Sequence, residues 1–385
     1  MAPALPLMEK SSPPNPQRRI PVSEPLLGGN EEKYVMECVR SSWISSLGRF
    51  IPEFEEKFAG FCGSKHGVAV MNGTVALHLA LAALGIRQGD EVIIPDLTFV
   101  ATANVVAYLG ARPVFVDSEP GTWNIDPAKI SAAVTKKTKA IIPVHLYGHP
   151  CDMDPIMEIA RKHSLLVIED AAEAHGAEYK GRKVGSIGDV GCFSFYGNKI
   201  ITTGEGGICV TADSKLADRM RFLKDHAMDP VRKYWHPEIG YNFRMTNIQA
   251  AIGVAQLEQA GKFIEQKRKN ARLYSSLLQG VRGITLQPEM PWAKSVYWMH
   301  SVLVDEKKFG CSRDELAKQL KIKGIDSRPF FYPMHQLPPY QNGFSDNDFP
   351  IASNLSRTGI NLPSSVKLTG NDIKYVCSAI AGLAR

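Results

Sequence analysis

Between residue 50 and about residue 211 the chain switches repeatedly between two spacings of apolar residues. Pro52 to Phe61 carries apolar positions three and four apart, which predicts an amphipathic helix. The short apolar run Gly67-Val-Ala-Val70 predicts a strand, and Thr74 to Leu84, rich in Ala and Leu, predicts a helix. The same alternation continues with a strand at Glu91-Val-Ile-Ile94, a helix over Thr98 to Leu109 and a strand at Pro113-Val-Phe-Val116. Lys139-Ala-Ile-Ile-Pro-Val144, the helix Met153 to His163 and the strand Leu165 to Glu169 follow. Strands and helices in this order predict an α/β fold with a mostly parallel sheet covered on both faces. Ligands of such sheets sit outside the carboxyl ends of the strands. Asp170, the turn after Val70 and the loop after Ile94 all fall there.

Beyond residue 212 the pattern changes. Met245 to about Leu278 reads as one long helical stretch, a spine between two domains. A strand (Val296 to Val304), a helix (Arg313 to Lys323) and a final helix (Asn371 to Leu383) predict a smaller C-terminal α+β domain. The expected organisation is a disordered tail over 1–20, a large domain over 21–255 and a small domain over 256–385. Met1 to Arg19 holds five prolines and a basic end. Its apolar patch, Ala4-Leu-Pro-Leu-Met8, is too short and too broken for a secretory signal. Internal repeats and heptads are absent from the sequence.

Composition narrows the function classes. Of the 385 residues, 44% are hydrophobic and 22% charged, as in ordinary globular proteins. The net charge of +6 is spread without long runs, which favours an anionic ligand mildly and argues against nucleic acid. No apolar run approaches the length needed to span a bilayer, so no membrane partner is expected. The seven cysteines are scattered singly, as expected for a reducing cytoplasm.

The segment Gly191-Cys-Phe-Ser-Phe-Tyr-Gly-Asn-Lys-Ile-Ile-Thr-Thr-Gly-Glu-Gly-Gly207 sets Lys199 between an aromatic strand-like run and a glycine-rich turn. A lysine held there can form a Schiff base with an aldehyde, as pyridoxal phosphate chemistry requires. Leu165-Leu-Val-Ile-Glu-Asp170 reads as a buried strand ending in a carboxylate that can hold a pyridinium nitrogen protonated. The turn Met71-Asn-Gly-Thr-Val75 places Gly73 and Thr74 at a helix start, where free amides favour an anion. Such a turn also serves simply to connect elements. Phe99 could stack on a flat ring or sit in the core. Ser194 could donate to a phosphate oxygen. Asp170 and Glu173 lie among alanines in Glu169-Asp-Ala-Ala-Glu-Ala-His-Gly176, which suggests a tight site. Metal binding through His145, His149 and His175 is disfavoured, because they fall on different elements and zinc motifs are missing. Neither GxGxxG after the first strand nor GxxxxGK[ST] occurs, so nicotinamide and nucleotide-hydrolysis sites are unsupported.

Taken together, these residues resemble the fold-type I pyridoxal phosphate enzymes, in particular the nucleotide-sugar aminotransferases of the DegT/DnrJ/EryC1/StrS family. The resemblance runs from Ile20-Pro-Val-Ser-Glu-Pro25 to Asn361-Leu-Pro-Ser-Ser365. It rests on Trp43-Ile-Ser-Ser-Leu-Gly48, on the Glu169 and Phe195 motifs within the segments above, and on Tyr241-Asn-Phe-Arg-Met-Thr-Asn247. It implies a seven-stranded, mostly parallel sheet and pyridoxal 5'-phosphate as cofactor. Lys199 is then the Schiff-base lysine, and Asp170 pairs with the ring nitrogen. Glu173 lies near the ring hydroxyl, Gly73, Thr74 and Ser194 hold the phosphate, and Phe99 stacks on the ring. Asn242 is implied to reach the phosphate of a neighbouring subunit, so a homodimer with shared active sites is expected. Trp43, Ser45, Phe330, Tyr332 and His335 are implied to contact the sugar substrate. The members it most resembles move an amino group from L-glutamate to C4 of GDP-4-keto-6-deoxymannose. Another keto sugar (UDP-, dTDP- or CMP-linked, or an 8-keto octulosonate) is the alternative. Lysine at position 199, where a related 3-dehydratase has histidine, favours amino transfer over dehydration. A non-catalytic cofactor-binding regulator would need a DNA-binding module, and only the short proline-rich tail is unassigned. Asp96-Leu97 departs from the family pattern in the loop that carries Thr98 and Phe99.

Overall fold

The computed structural model describes residues 19–341 and 343–384. The expected N-terminal tail therefore lies almost wholly outside the described residues. A central sheet contains β1 (His66–Val70), β2 (Glu91–Pro95), β3 (Arg112–Val116), β4 (Thr138–Ile141), β5 (Leu166–Asp170), β6 (Val190–Ser194) and β7 (Gly207–Thr211), in the spatial order β1-β7-β6-β5-β4-β2-β3. Only β7 runs antiparallel to its neighbours; every other pairing is parallel. Helices cover both faces, so β2, β6 and β7 are buried along their whole length. That burial explains why these strands read as continuous apolar runs rather than alternating ones.

A second sheet is antiparallel and contains β8 (Ile284–Leu286), β9 (His300–Val304), β10 (Arg328–Pro329) and β11 (Gly359–Leu362), in the order β8-β9-β11-β10. It packs with the helices Ala260–Leu278, Arg313–Ile322 and Gly370–Ala381 around a core that includes Tyr274, Phe309, Leu320, Ile360 and Ile380. Ile20 joins this core through a bridge to Ile325. The segment holding Phe330, Met334, Tyr340, Phe349 and Leu355 leaves the small core and packs on the large one. This return brings C-terminal residues to the carboxyl ends of the central strands.

The structure corrects two predicted elements. The helical stretch 245–278 is two helices, Asn247–Leu257 and Ala260–Leu278. At the break, Gln256 donates to the Leu26 carbonyl and to Glu31, while Glu258 accepts from Asn30 and Tyr34. These contacts fix the chain direction where an isolated helix would continue. The predicted strand 296–304 begins only at His300. Tyr297 has φ 46°, a left-handed conformation that no strand accommodates. Among the described residues, no helix is long and apolar enough to cross a membrane.

Candidate active site

A cavity of about 400 Å³ opens at the carboxyl ends of the parallel strands, lined in part by Gly73, Thr74, Phe99, Asp170, Glu173, Ser194 and Lys199. Asp170 and Ser194 close strands, Gly73 and Thr74 begin a helix, and Phe99, Glu173 and Lys199 lie in loops, so the sheet brings together what the sequence spreads over more than a hundred positions.

One end of the cavity is built for an anion. Asn72 caps the helix Gly73–Ala83 by accepting from the Val75 N–H at 3.0 Å. The N–H groups of the first turn have no partner within the helix and face outward. A Cβ at Gly73 would stand 2.6 Å from Cβ of Ser194, so glycine is what lets the helix end meet the strand end. Gly207 on β7 allows an equally close approach, since a Cβ there would lie 2.3 Å from the Asn72 carbonyl oxygen. We expect Gly73→Ala to weaken cofactor binding about tenfold to a hundredfold, the range that overpacking a tight contact produces. Absorbance titration of cofactor into the variant checks this; unchanged affinity would place the phosphate elsewhere.

The other end is built around charge. Strand alternation sends the adjacent carboxylates of β5 to opposite faces. Glu169 points into the protein, where it accepts from Gly185, Ile187 and Gly188 N–H groups and pairs with His145 at 3.0 Å. Burial opposes its charge, but His145 and these amides outweigh burial and hold its pKa down. Asp170 faces the cavity. It accepts from Thr102 Oγ1 at 2.9 Å and from the Ala172 N–H at 3.2 Å. Here burial wins and raises the pKa against Thr102, Ala172 and Lys199. Asp170 is thus a carboxyl short of positive partners, suited to a cationic ring nitrogen.

Lys199 Nζ lies 3.8 Å from Glu173 Oε1. Burial lowers the Lys199 pKa, while Glu173 and Asp170 pull it back up. Glu173 accepts the Tyr147 N–H at 2.8 Å, and burial pushes its pKa up to about 7. Phe99 is 54% exposed although it lines the cavity, and its ring sits 5.6 Å from that of Phe331. One aromatic face is therefore free for a flat ligand.

These features fit pyridoxal phosphate along its length. The glycine-relieved helix end suits the phosphate, Phe99 suits the ring face, Asp170 the ring nitrogen, and the buried Lys199 amine the aldehyde. The histidines considered as metal ligands are placed otherwise. His145 also accepts from the Cys151 N–H, and His149 pairs with the Pro150 carbonyl and the Met290 N–H. His175 is buried among Phe58, Phe193 and Phe195. Among the described residues, no group of three or more His, Cys, Asp or Glu side chains is placed to hold a metal.

The remaining residues singled out from the sequence lie off the cavity wall. Asn242 is exposed and pairs through its backbone with Asp225. Trp43 and Ser45 are on an exposed loop whose carbonyls accept from Asn247. Phe330 is buried against Tyr147 and Trp123, and it is Phe331 that lines the cavity. Tyr332 points to solvent. His335 is buried between Asp96 (Nδ1 to Oδ2, 2.7 Å) and Asp346 (Nε2 to Oδ1, 3.0 Å). Asp96 also accepts the His335 N–H, and its carbonyl accepts from Met334. The unusual Asp96 is thus explained: it fastens the 330–336 segment to the loop carrying Phe99. Trp298, Asn198 and Phe331 also line the cavity and went unrecognised in the sequence. The local signal for Trp298 and Phe331 was only an aromatic beside other aromatic or apolar residues, whereas Asn198 stood next to Lys199 in its motif.

The model of the DegT/DnrJ/EryC1/StrS aminotransferase family matches residues 25–381. The GDP-perosamine synthase of Caulobacter vibrioides is 52% identical over 363 residues, covering 94% of this chain and 97% of that protein. The GDP-perosamine synthase of Vibrio cholerae is 45% identical over 361 residues, covering 94% and 98%. Among solved structures, S. venezuelae DesV in complex with a ketimine intermediate superposes with a TM-score of 0.87 at 35% identity, covering 92% of this chain and 94% of that one.

Proposed function

Because the chain belongs to the DegT/DnrJ/EryC1/StrS aminotransferase family, we propose that it transfers the amino group of L-glutamate to C4 of GDP-4-keto-6-deoxymannose, yielding GDP-perosamine and 2-oxoglutarate. The observation that carries the choice of sugar is the likeness, at 45–52% identity and over nearly whole chains, to three relatives named GDP-perosamine synthase. The observation that carries the chemistry is the buried Lys199 amine, set in one cavity with Glu173 and Asp170.

Pyridoxal phosphate, when bound, supplies an aldehyde that condenses with amines and a ring that accepts the electron pair left at a deprotonated carbon. The chain's residues do the rest. Gly73, Thr74 and Ser194 hold the phosphate, Phe99 covers the ring, and Glu173 lies beside the ring hydroxyl. Asp170 keeps the ring nitrogen protonated. As a free amine, Lys199 Nζ would remove the proton from the glutamate α-carbon. In the second half-reaction the same amine delivers a proton to C4 of the sugar. One lysine serving both halves gives ping-pong kinetics.

The same reading makes the active unit a homodimer, with Asn242 reaching the phosphate in the partner subunit's site. Its support is the exposure of Asn242 and of apolar side chains such as Leu47, Val231 and Ile239, which a second subunit would cover. On the same reading Trp43, Ser45 and Tyr332, all exposed, contact the sugar substrate, while His335, held between Asp96 and Asp346, steadies the segment that carries Tyr332. The large domain spans 21–255 and the small domain 256–385. Cytoplasmic location accords with the single, scattered cysteines of the sequence, and the amino sugar is then destined for a surface glycan such as an O-antigen.

Mass spectrometry of products from GDP-4-keto-6-deoxymannose, L-glutamate and pyridoxal phosphate tests the proposal. A GDP-4-amino-4,6-dideoxy sugar is expected together with 2-oxoglutarate. Cofactor-loaded protein that aminates only a UDP-, dTDP- or CMP-linked keto sugar would overturn the choice of nucleotide.

A further inference from the structure

Three buried groups form a chain that runs from the small domain to the reactive amine. Lys267, on the helix Ala260–Leu278, is 4% exposed and, among the described residues, pairs with no carboxylate. Its Nζ donates to the carbonyl oxygens of Trp298 (2.9 Å) and Ser364 (2.7 Å). Trp298 lies just before β9 and turns its ring into the cavity. The indole Nε1–H donates to the Asn198 carbonyl at 2.8 Å, and Lys199 Nζ lies 3.8 Å from the ring centroid. Tyr147 stacks roughly parallel to the indole at 6.3 Å, and the same Tyr147 donates its N–H to Glu173.

We infer that Trp298 is a positioning residue for the Lys199 amine, and that Lys267 locks Trp298 in place. The indole grips the lysine twice. Its N–H fixes the backbone immediately before residue 199, and its negative ring face attracts the ammonium. Both contacts act on one residue, so they limit where Nζ can travel between its cofactor-bound and free forms.

Lys267 suits its role because of how few partners it has. Burial alone lowers its pKa to about 7. A neutral amine still carries two N–H donors, and the Trp298 and Ser364 carbonyls accept them. The lock therefore holds whether or not the third proton is present. Methionine at this position would fill the same space and release both carbonyls. Ser364 also donates through Oγ to the Leu362 carbonyl and accepts the His300 N–H, so the lock is tied into β9 and β11. The left-handed Tyr297 is what turns the Trp298 side chain away from the course of β9.

The inference rests on the reading of Lys199 as the cofactor-bearing lysine, and the test separates the two. Cofactor-free full-length protein is mixed with pyridoxal phosphate across about pH 6 to 10, and capture is followed by absorbance. Borohydride reduction and peptide mass locate the captured cofactor. Only the unprotonated amine reacts, so the midpoint of the rate–pH profile reports the Lys199 pKa. Glu173, Asp170 and His175 are the titratable side chains facing this amine, and all three stay in place in every variant.

Removing the ring face removes stabilisation of the ammonium, so Trp298→Leu should lower the midpoint by about one pH unit. Trp298→Phe keeps a weaker face, loses the N–H and should give a smaller shift in the same direction. Lys267→Met should move the midpoint the same way, and Lys267→Gln, which retains donors, should lie nearer the unmodified protein. Profiles of Trp298→Phe and Lys267→Met that superimpose on the unmodified one would overturn the inference, even if Trp298→Leu fails to fold. Capture at a lysine other than 199 in the unmodified protein would remove the assignment of Lys199 itself.

Discussion

Lys199→Ala is expected to lose at least about four orders of magnitude in turnover, because the proposed mechanism makes one side chain both the covalent anchor and the acid–base group of the two half-reactions. The protein should nevertheless fold. Lys199 is buried, and burial depresses its pKa, so the folded state binds its proton less tightly than the unfolded chain does. Its charge therefore opposes folding at neutral pH. Alanine removes that opposition along with the contacts to Glu173 and Trp298. The thermal midpoint of the cofactor-free variant should match or exceed that of the unmodified protein. The cofactor should still associate through its phosphate, at Gly73 and Ser194, but without the absorbance of a covalent adduct. Near-normal turnover in the variant would remove Lys199 from its assigned role. A collapse of the fold would contradict the destabilising burial on which the stability argument depends.

The meeting of Lys199 and Asp170 in one cavity was legible from sequence because each lies next to a strongly patterned element. A buried parallel strand announces its carboxyl end, and there the residue after Glu169 faces the cavity. The sequence put Asp170 at the strand end but did not show what would occupy its neighbour Glu169. That depended on register: Glu169 is consumed by His145 and three backbone amides, and Asp170 is not. Thr98 to Val100 show a similar limit. Their composition suits a helix, but the helix starts at Ala101, and this leaves Phe99 on the cavity wall. Its ring neighbour, Phe331, lies far away in sequence and arrives only because the 330–355 segment packs back on the large core. Reading the motif one residue early, at Phe330, selected the side chain that faces Tyr147 and the core. Trp298 was hidden for the same reason. Local pattern made it a strand residue, whereas tertiary hydrogen bonds from Lys267 and to Asn198 make it part of the site.

Asp170→Asn is the sharpest test of the other pole of the site, because its effects on stability and on activity should run in opposite directions. The substitution keeps the shape of the side chain and a hydrogen-bonding partner for Thr102. It removes the charge. Burial raises the Asp170 pKa above the ordinary 3.8, so the folded protein holds this proton more tightly than the unfolded chain. Stability from this group is fully present below pH 3.8 and is lost as pH rises through the folded value. At neutral pH the ionised Asp170 therefore weakens the cofactor-free fold, and the asparagine variant should melt at the same temperature or higher. The difference should vanish on acidification below the ordinary carboxyl range. Activity should move the other way. An amide cannot hold a ring nitrogen protonated, and losing one preorganised charge from a buried site costs about a hundredfold to a thousandfold in rate. Thermal melts across pH, run beside turnover assays on the loaded enzyme, read both effects. A variant that melts lower at neutral pH but keeps its turnover would recast Asp170 as a structural carboxylate like Glu169. The proton on the ring nitrogen would then need another keeper among the residues of the cavity.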